Sequence, residues 1–329
     1  MKNPFAVGNA TADQRLGNFG ENRLISKLQQ WLGPATPPTP EGIGDDCAVF
    51  RPAAGVKQLM TTDCVTYGRH FDATIEAAQV GAKLIKRNLS DIAAMGGRPG
   101  PALLTLLCGS DVSITWLEEF VGGIRQSCLD YDVSLVGGDL SQLPAGQFTA
   151  TLALTGCIST RPVLRSSARI GDLICVTGTL GGSLIGKHHT FEPRLKEGQW
   201  LAQQDACTAM MDLSDGLGKD LAAILPPGSS AAIDLQQLPI SPAARKCAVA
   251  DSLAAEQHAF CDGEDYELLF TISGETDFED FSMKWREQFP DLRLSCLGRI
   301  QTSHPAGRYI NAATQNALPW QAGFEHFKN

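Results

Sequence analysis

Apolar runs in this chain keep ending on acids. Gly44-Asp45-Asp46, Thr61-Thr62-Asp63, Asn88-Leu89-Ser90-Asp91, Gly137-Gly138-Asp139, Asp212-Leu213-Ser214-Asp215-Gly216 and Asp262-Gly263-Glu264-Asp265 each close a hydrophobic stretch beside glycine or a small hydroxyl residue. A solvated acid belongs in a polar stretch, and any one of these alone reads as a cap or turn residue. Asp91 differs, because it follows Leu89 and precedes Ile92 on the apolar side of a helical pattern. Burying several carboxylates is prohibitively costly unless cations compensate them. Hard oxygen donors, with glycines for close approach, suit magnesium and phosphate. A fold that gathers these acids at a magnesium-dependent nucleotide site is the expectation.

The chain has 329 residues and a mass of 35.2 kDa, which sets one or two domains as the prior. A hydrophobic share of 43% with 19% charged residues is ordinary for a packed globular protein, which excludes disorder, collagen and coiled coil. The net charge of −9 argues against a sequence-independent grip on nucleic acid. No apolar run approaches the length of a membrane span, and Lys2 is not followed by a signal-peptide core. A cytoplasmic protein without nucleic-acid or membrane partners is expected. Ten cysteines without a C-x-x-C pair fit neither a disulfide framework nor a zinc knuckle, and read as buried free thiols.

Residues 1–18 lack periodicity and read as a loose arm. Strand-like runs at 47–50 and 58–62 follow a short amphipathic stretch at 21–32 and a proline-rich hinge. Residues 76–95 carry a helical repeat that stops at Gly96-Gly97. The run 101–108 reads as a buried strand, and Ser113 as the N-cap of a second helix. Strands are expected at 133–136, ending at Gly137, and at 148–158, where the residues alternate. The second half shows strands at 173–177 and 210–212 and a helix from Lys196. Neither half keeps the β-α-β rhythm of a doubly wound sheet. Two α+β domains, 19–160 and 161–329, are expected, each with mixed or antiparallel sheets and flanking helices.

Several motifs are decoys. Gly181-Gly-Ser-Leu-Ile-Gly186-Lys187-His188 nearly spells a P-loop, but the hydroxyl that should hold magnesium is replaced by His188. Gly42-Ile43-Gly44 lacks the third glycine of a dinucleotide fingerprint and runs into two acids. The Ser183 segment is one residue too long for a nucleophile elbow. His188 and His189, whose side chains diverge as neighbours, are expected in a turn or on the surface rather than as a metal pair.

The segments GIGDDCAVF, TTDCVTYGRHF, NLSDIAAMGGRPGPALLTL, LVGGDL, RSSARIGDLICVTGTLG, MDLSDGLGKDL and DGEDYELLFT occur here in the order found in thiamine-monophosphate kinases. From about Phe19 to Phe327 the chain resembles that family, which belongs to the aminoimidazole-ribonucleotide-synthetase-like (PurM-like) superfamily. The resemblance implies transfer of the γ-phosphate of ATP to thiamine monophosphate, several magnesium ions, a homodimer, and no phosphoenzyme. By resemblance, Asp46, Thr61, Thr62, Asp63, Asp91, Asp139, Asp212 and Asp215 fall at metal-binding places. Gly138, Asp139, Arg165 and Ser214 fall at ATP-contacting places, and His70, Glu264 and Phe324 at places facing the thiamine substrate. Beside these roles stand plainer ones: Arg165 in a surface ion pair, Phe324 as core, His70 as a buried hydrogen-bonded histidine.

The chain departs from the family at Leu140–Gly146, at Tyr67 and Val121, at Asp262 in place of a glycine, and in the short His188–Arg194 segment. These positions keep two other readings open. One is a divergent superfamily ATP-dependent enzyme acting on another small phosphorylated or amidated substrate. The other is a non-catalytic homologue, against which the retained carboxylates argue.

Overall fold

The computed structural model describes residues 2–5, 15–16, 21–38, 41–43, 54–320 and 323–324. Asp45, Asp46 and the strand expected at 47–50 lie outside them. The chain divides into two compact units, Met1–Ile92 with Arg98–Ser159, and Ala93–Gly97 with Thr160–Asn329.

The first unit carries α1 (Glu21–Leu32), β1 (Lys57–Thr66), α2 (Ala77–Ala94), β2 (Arg98–Gly109), α3 (Ile114–Asp130), β3 (Leu135–Leu143) and β4 (Phe148–Ile158). Its sheet has the order β1-β4-β2-β3, with β2 and β3 parallel and the other pairs antiparallel. Alternation along β4 decides which face is covered. Phe148, Ala150, Leu152 and Leu154 are buried, and the residues between them are only half-buried. Trp116 and Phe120 of α3 pack edge-on against Phe148, with ring centroids 4.9 and 5.3 Å away. All three rings are at most 1% exposed, so Phe148→Ala costs about 3–5 kcal/mol. Ser113 caps α3 by accepting from the Trp116 N–H at 3.4 Å. Helices α2 and α3 cross at Gly123, where a Cβ would sit 1.9 Å from the Ala78 carbonyl oxygen. On the opposite face of the sheet Met60 is 80% and Leu103 47% exposed.

The second unit carries β5 (Leu173–Thr177), α4 (Lys187–Thr190), α5 (Leu195–Gln203), β6 (Cys207–Asp212), α6 (Leu217–Ile224), β7 (Ser229–Ile233) and α7 (Pro242–Asp251). It continues with α8 (Ala255–Cys261), β8 (Leu268–Ile272), α9 (Phe278–Gln288), β9 (Leu294–Thr302) and β10 (Tyr309–Asn311). The strand order is β10-β7-β9-β5-β8-β6, antiparallel except for β10 with β7. Leu217 and Leu221 of α6 and Phe260 of α8 share one core with Ile174, Leu269 and Leu297 of the sheet. Phe270, pointing the other way from Leu269, meets Trp285 of α9, which also contacts Trp200 of α5. Helices therefore flank both faces of this sheet, and the chain adopts an α+β architecture with two mixed, largely antiparallel sheets.

Two strands run past the acids expected to end them. β1 continues through Asp63 to Thr66, and β3 through Gly137, Gly138 and Asp139 to Leu143. Both are edge strands, where ladder bonds carry a polar stretch onward after the apolar run has stopped.

Candidate active site

In the first unit, β1 turns Thr61, Asp63 and the buried Val65 toward α2, because alternate residues share a face. Helix α2 answers with Arg87 and Asp91, one turn apart. Thr61 Oγ1 donates to Asp91 Oδ2. An Arg87 Nη lies 3.1 Å from Asp63 Oδ1, and its other Nη donates to the Cys64 carbonyl. The structure thus brings Thr61, Asp63 and Asp91 together, and adds Arg87, a cation that the sequence reading missed. Asp91 is half-buried, in keeping with its place on the apolar side of the helix.

Thr62 faces the other side of the sheet and is exposed. Asp139, also exposed, lies opposite Thr105 in the ladder, and Thr105 lies opposite Thr151, which pairs with Cys64. That row belongs to the face carrying Thr62 rather than Asp63, with β4 and β2 between Thr62 and Asp139. Asp139 is held by Ser141, whose hydroxyl donates to it at 2.8 Å. The glycine at 138 has a steric cause, since a Cβ there would stand 1.7 Å from the Leu104 carbonyl oxygen. His70 follows β1 in a turn. Its Nδ1 accepts the Thr66 N–H at 3.0 Å, and its carbonyl accepts from the buried Lys83 at 2.9 Å.

The second unit supplies the other acids. Asp212 ends β6 and is 7% exposed. The following turn is organised by Asp220 of α6, whose Oδ2 accepts the Ser214 N–H at 3.1 Å and the Asp215 N–H at 2.9 Å. Burial pushes the Asp220 carboxyl up to about 7, against the Asp215 N–H that favours its charged form. The Asp215 carboxylate accepts from Lys219 at 2.5 Å. On the same turn, the Glu264 N–H donates to the Ser214 carbonyl at 2.8 Å and the Phe324 N–H to the Asp215 carbonyl at 2.8 Å. Ser214, Asp215, Glu264 and Phe324 are therefore neighbours through the main chain. Phe324 is 37% exposed, so its reading as core is corrected. Arg165 is exposed in the 3-10 turn Arg165–Ser167, which packs against β6 and α6.

The near-P-loop is spent on internal contacts. The Gly181 N–H donates to both oxygens of Asp265, at 3.0 and 3.1 Å, and the Gly182 N–H to Asp262 at 2.7 Å. A nest of amides filled by the chain's own carboxylates does not cradle a phosphate. The expectation that His188 lies in a turn or on the surface is also corrected. It sits in α4, 7% exposed, with Nδ1 3.1 Å from Glu264 Oε2.

The donors gathered on α2 and β1, and on the turn after β6, are carboxylate and hydroxyl oxygens, the chemistry magnesium selects. No three His, Cys, Asp or Glu side chains among the described residues form a ready cage. Magnesium takes one or two carboxylates and completes its shell with water and phosphate oxygens.

Residues 44–158 match the family model of AIR synthase related protein, N-terminal domain. The two sheets and this match define the class as AIR-synthase-like. Within that class, the chain is 37% identical over 243 residues to thiamine-monophosphate kinase of Rhodopirellula baltica, covering 71% of this chain and 76% of that one. It is 32% identical to the Escherichia coli (strain K12) enzyme of the same name over 332 residues, covering 94% and 98%. A solved ThiL structure complexed with AMPPCP and TMP superposes with a TM-score of 0.70 at 28% identity, covering 95% and 99%. The chain belongs to the thiamine-monophosphate kinase family.

Proposed function

We propose that this chain transfers the γ-phosphoryl group of ATP to the phosphate of thiamine monophosphate, giving thiamine diphosphate and ADP. The observation that carries the reading is likeness across nearly the whole chain, 32% identity over 94% of it, to an enzyme named for that activity. Another superfamily substrate has no comparable support.

Phosphoryl transfer asks a protein for in-line placement and for charge to meet the phosphate oxygens, with little covalent help. No phosphoenzyme is required. Thr61, Asp63 and Asp91 on one face of the first sheet, Thr62 and Asp139 on the other, and Asp212 and Asp215 in the second unit, with Asp46, would hold separate magnesium ions, which supply positive charge to the phosphate oxygens. Gly138, Asp139, Arg165 and Ser214 would contact ATP, the exposed Arg165 reaching a phosphate with its fork of donors. His70, Glu264 and Phe324 would face thiamine monophosphate. The half-exposed Phe324 ring suits a flat cationic thiazolium, and the Glu264 carboxylate suits an aminopyrimidine donor.

The two compact units would be the family's two domains, joined near residue 160, working as a homodimer in the cytoplasm. The uncovered apolar positions Met60 and Leu103 on the first unit's sheet support an interface there. No helix of the described residues is long and apolar enough to cross a membrane. The direct test is incubation of the purified chain with ATP, magnesium and thiamine monophosphate, followed by chromatography of thiamine diphosphate. ATP binding without formation of that product overturns the proposal.

A further inference from the structure

Residues 187–194 clasp residues 264–267 side chain by side chain. Lys187 Nζ meets Glu267 Oε1 at 2.8 Å, and Arg194 grips both Glu267 oxygens at 2.7 and 2.8 Å. Between these anchors Phe191 stacks on Tyr266, with ring centroids 3.9 Å apart and planes 16° from parallel. His188 Nδ1 stands 3.1 Å from Glu264 Oε2, and the Tyr266 hydroxyl donates to Glu264 Oε1 at 3.3 Å. Each oxygen of Glu264 is thus held by a different side chain, and one of those side chains is itself pinned by a ring.

The main chain here is strained to make this possible. Glu264 has φ 62° and Tyr266 φ 49°, left-handed values that residues other than glycine adopt only where their surroundings impose them. The result is a carboxylate that is mostly buried yet reaches the surface. The Glu264 side chain is 18% exposed, whereas the His188 ring behind it is 9% exposed. A carboxylate only accepts, so His188 Nδ1 carries the proton of this contact. His188 and Tyr266 together fix the plane of the Glu264 carboxylate.

We propose that His188 is a positioning residue for the acceptor: it holds the Glu264 carboxylate in the orientation that receives the donor groups of thiamine monophosphate. The inference rests on the reading of Glu264 as an acceptor contact. It assigns a purpose to a segment in which this chain departs from the family pattern, and it predicts an effect on one substrate only.

The test uses the full chain and four variants, with KM for each substrate and calorimetric binding of thiamine monophosphate without nucleotide. His188→Leu removes the donor. The expected result is a rise of about tenfold or more in KM and Kd for thiamine monophosphate, with KM for ATP within about twofold, as befits one hydrogen bond to a charged group. His188→Asn places an amide N–H at the same distance from Cβ as Nδ1, and is expected to restore acceptor binding to within about threefold of wild type. Tyr266→Phe keeps the stack on Phe191, and is expected to weaken acceptor binding by about two- to fivefold; it reports on the same clasp should His188→Leu fail to fold. Equal impairment of Asn and Leu at 188, equal losses for ATP and acceptor, or no loss in Leu and Phe variants that fold would each overturn the proposal. Glu264→Gln separates the two readings. If Glu264→Gln weakens acceptor binding and His188→Leu does not, positioning fails alone; if Glu264→Gln is silent, the assignment of Glu264 fails and the inference falls with it.

Discussion

Lys187 Nζ lies 2.8 Å from Oε1 of Glu267, a carboxylate only 1% exposed. The lysine that completes the near-P-loop in sequence is therefore an internal counter-ion. Its ammonium also donates to the Thr179 carbonyl at 2.9 Å. Burial pushes the Glu267 carboxyl up, but Arg194 and Lys187 together hold it below the ordinary range, and Arg194 and the Thr177 hydroxyl remain on it when Lys187 is removed. Lys187→Ala is expected to lower stability by about 1–3 kcal/mol while leaving the Kd for a non-hydrolysable ATP analogue unchanged. Denaturant unfolding and calorimetry check the two halves. A loss of nucleotide binding by a well-folded Lys187→Ala protein would restore the P-loop reading.

Asp265 is fully buried beneath the same segment. Burial pushes its carboxyl up to about 7, although Lys187, the Ser183 hydroxyl and the Gly181 N–H all favour the charged form. A carboxyl whose folded pKa exceeds its unfolded value binds more protons in the folded state. Its contribution to stability is complete below about 3.8 and is lost as pH rises through about 7. Asp265→Asn keeps an oxygen for Gly181 but has no proton to lose. Between pH 8 and pH 5 the wild type is expected to gain on the order of 1–3 kcal/mol relative to the variant. Urea unfolding at the two pH values measures this difference of differences, and parallel behaviour of the two proteins would contradict it.

How much of this was legible in the sequence depends on the range of the interaction that decides each residue. The alternation of 148–158, the span 173–177 and the Ser113 cap are local signals, and the elements follow them. The run at 58–62 ends at Asp63, but the strand does not, because backbone pairing with β4 continues to Thr66 whatever the side chains are. The acids on β1 and α2 could be named as a group from their context. Their division between two sheet faces required the register that sets Asp139 beside Thr105. His188 looked like a surface histidine because its partner, Glu264, is distant in sequence and carries a left-handed φ that no neighbour announces. Asp220, which orders the turn at Ser214 and Asp215, reads in sequence as one more polar position of an amphipathic helix. Its burial is a property of the core that α6 joins.

The dimer proposal is sharpened by where the uncovered apolar side chains lie. Met60 and Leu103 share the sheet face opposite α2 and α3. A charge placed there is cheap in a monomer and costly inside an apolar interface. The wild type is expected by light scattering at low micromolar concentration to have twice the 35.2 kDa chain mass. Met60→Asp is expected to shift it to the single-chain mass without lowering the helix content. A wild type that is already single-chain, or a Met60→Asp variant that stays paired, removes this face from consideration as the interface.

Asp91 offers the cleanest separation of charge from fold. Its Oδ2 accepts from Thr61, and an asparagine oxygen can accept in its place. Asp91→Asn should therefore cost less than about 1 kcal/mol of stability, because this half-buried hydrogen bond survives. The variant removes one negative charge from the face where Asp63 is already neutralised by Arg87 at 3.1 Å. If that face serves phosphate through magnesium, the missing carboxylate costs positive charge at the reacting oxygens, where each 1.36 kcal/mol is a factor of ten in rate. Turnover is expected to fall by about a hundredfold or more, and the magnesium concentration for half-maximal rate to rise. Chelation should abolish turnover in both proteins. Thr61→Val breaks the same hydrogen bond and keeps the charge, but it also removes a hydroxyl assigned to magnesium, so it is expected to slow turnover as well. Steady-state rates across a magnesium titration, beside thermal melting of each variant, decide the matter. An Asp91→Asn enzyme with wild-type rate and magnesium dependence would show that this carboxylate is a structural partner of Thr61 and nothing more.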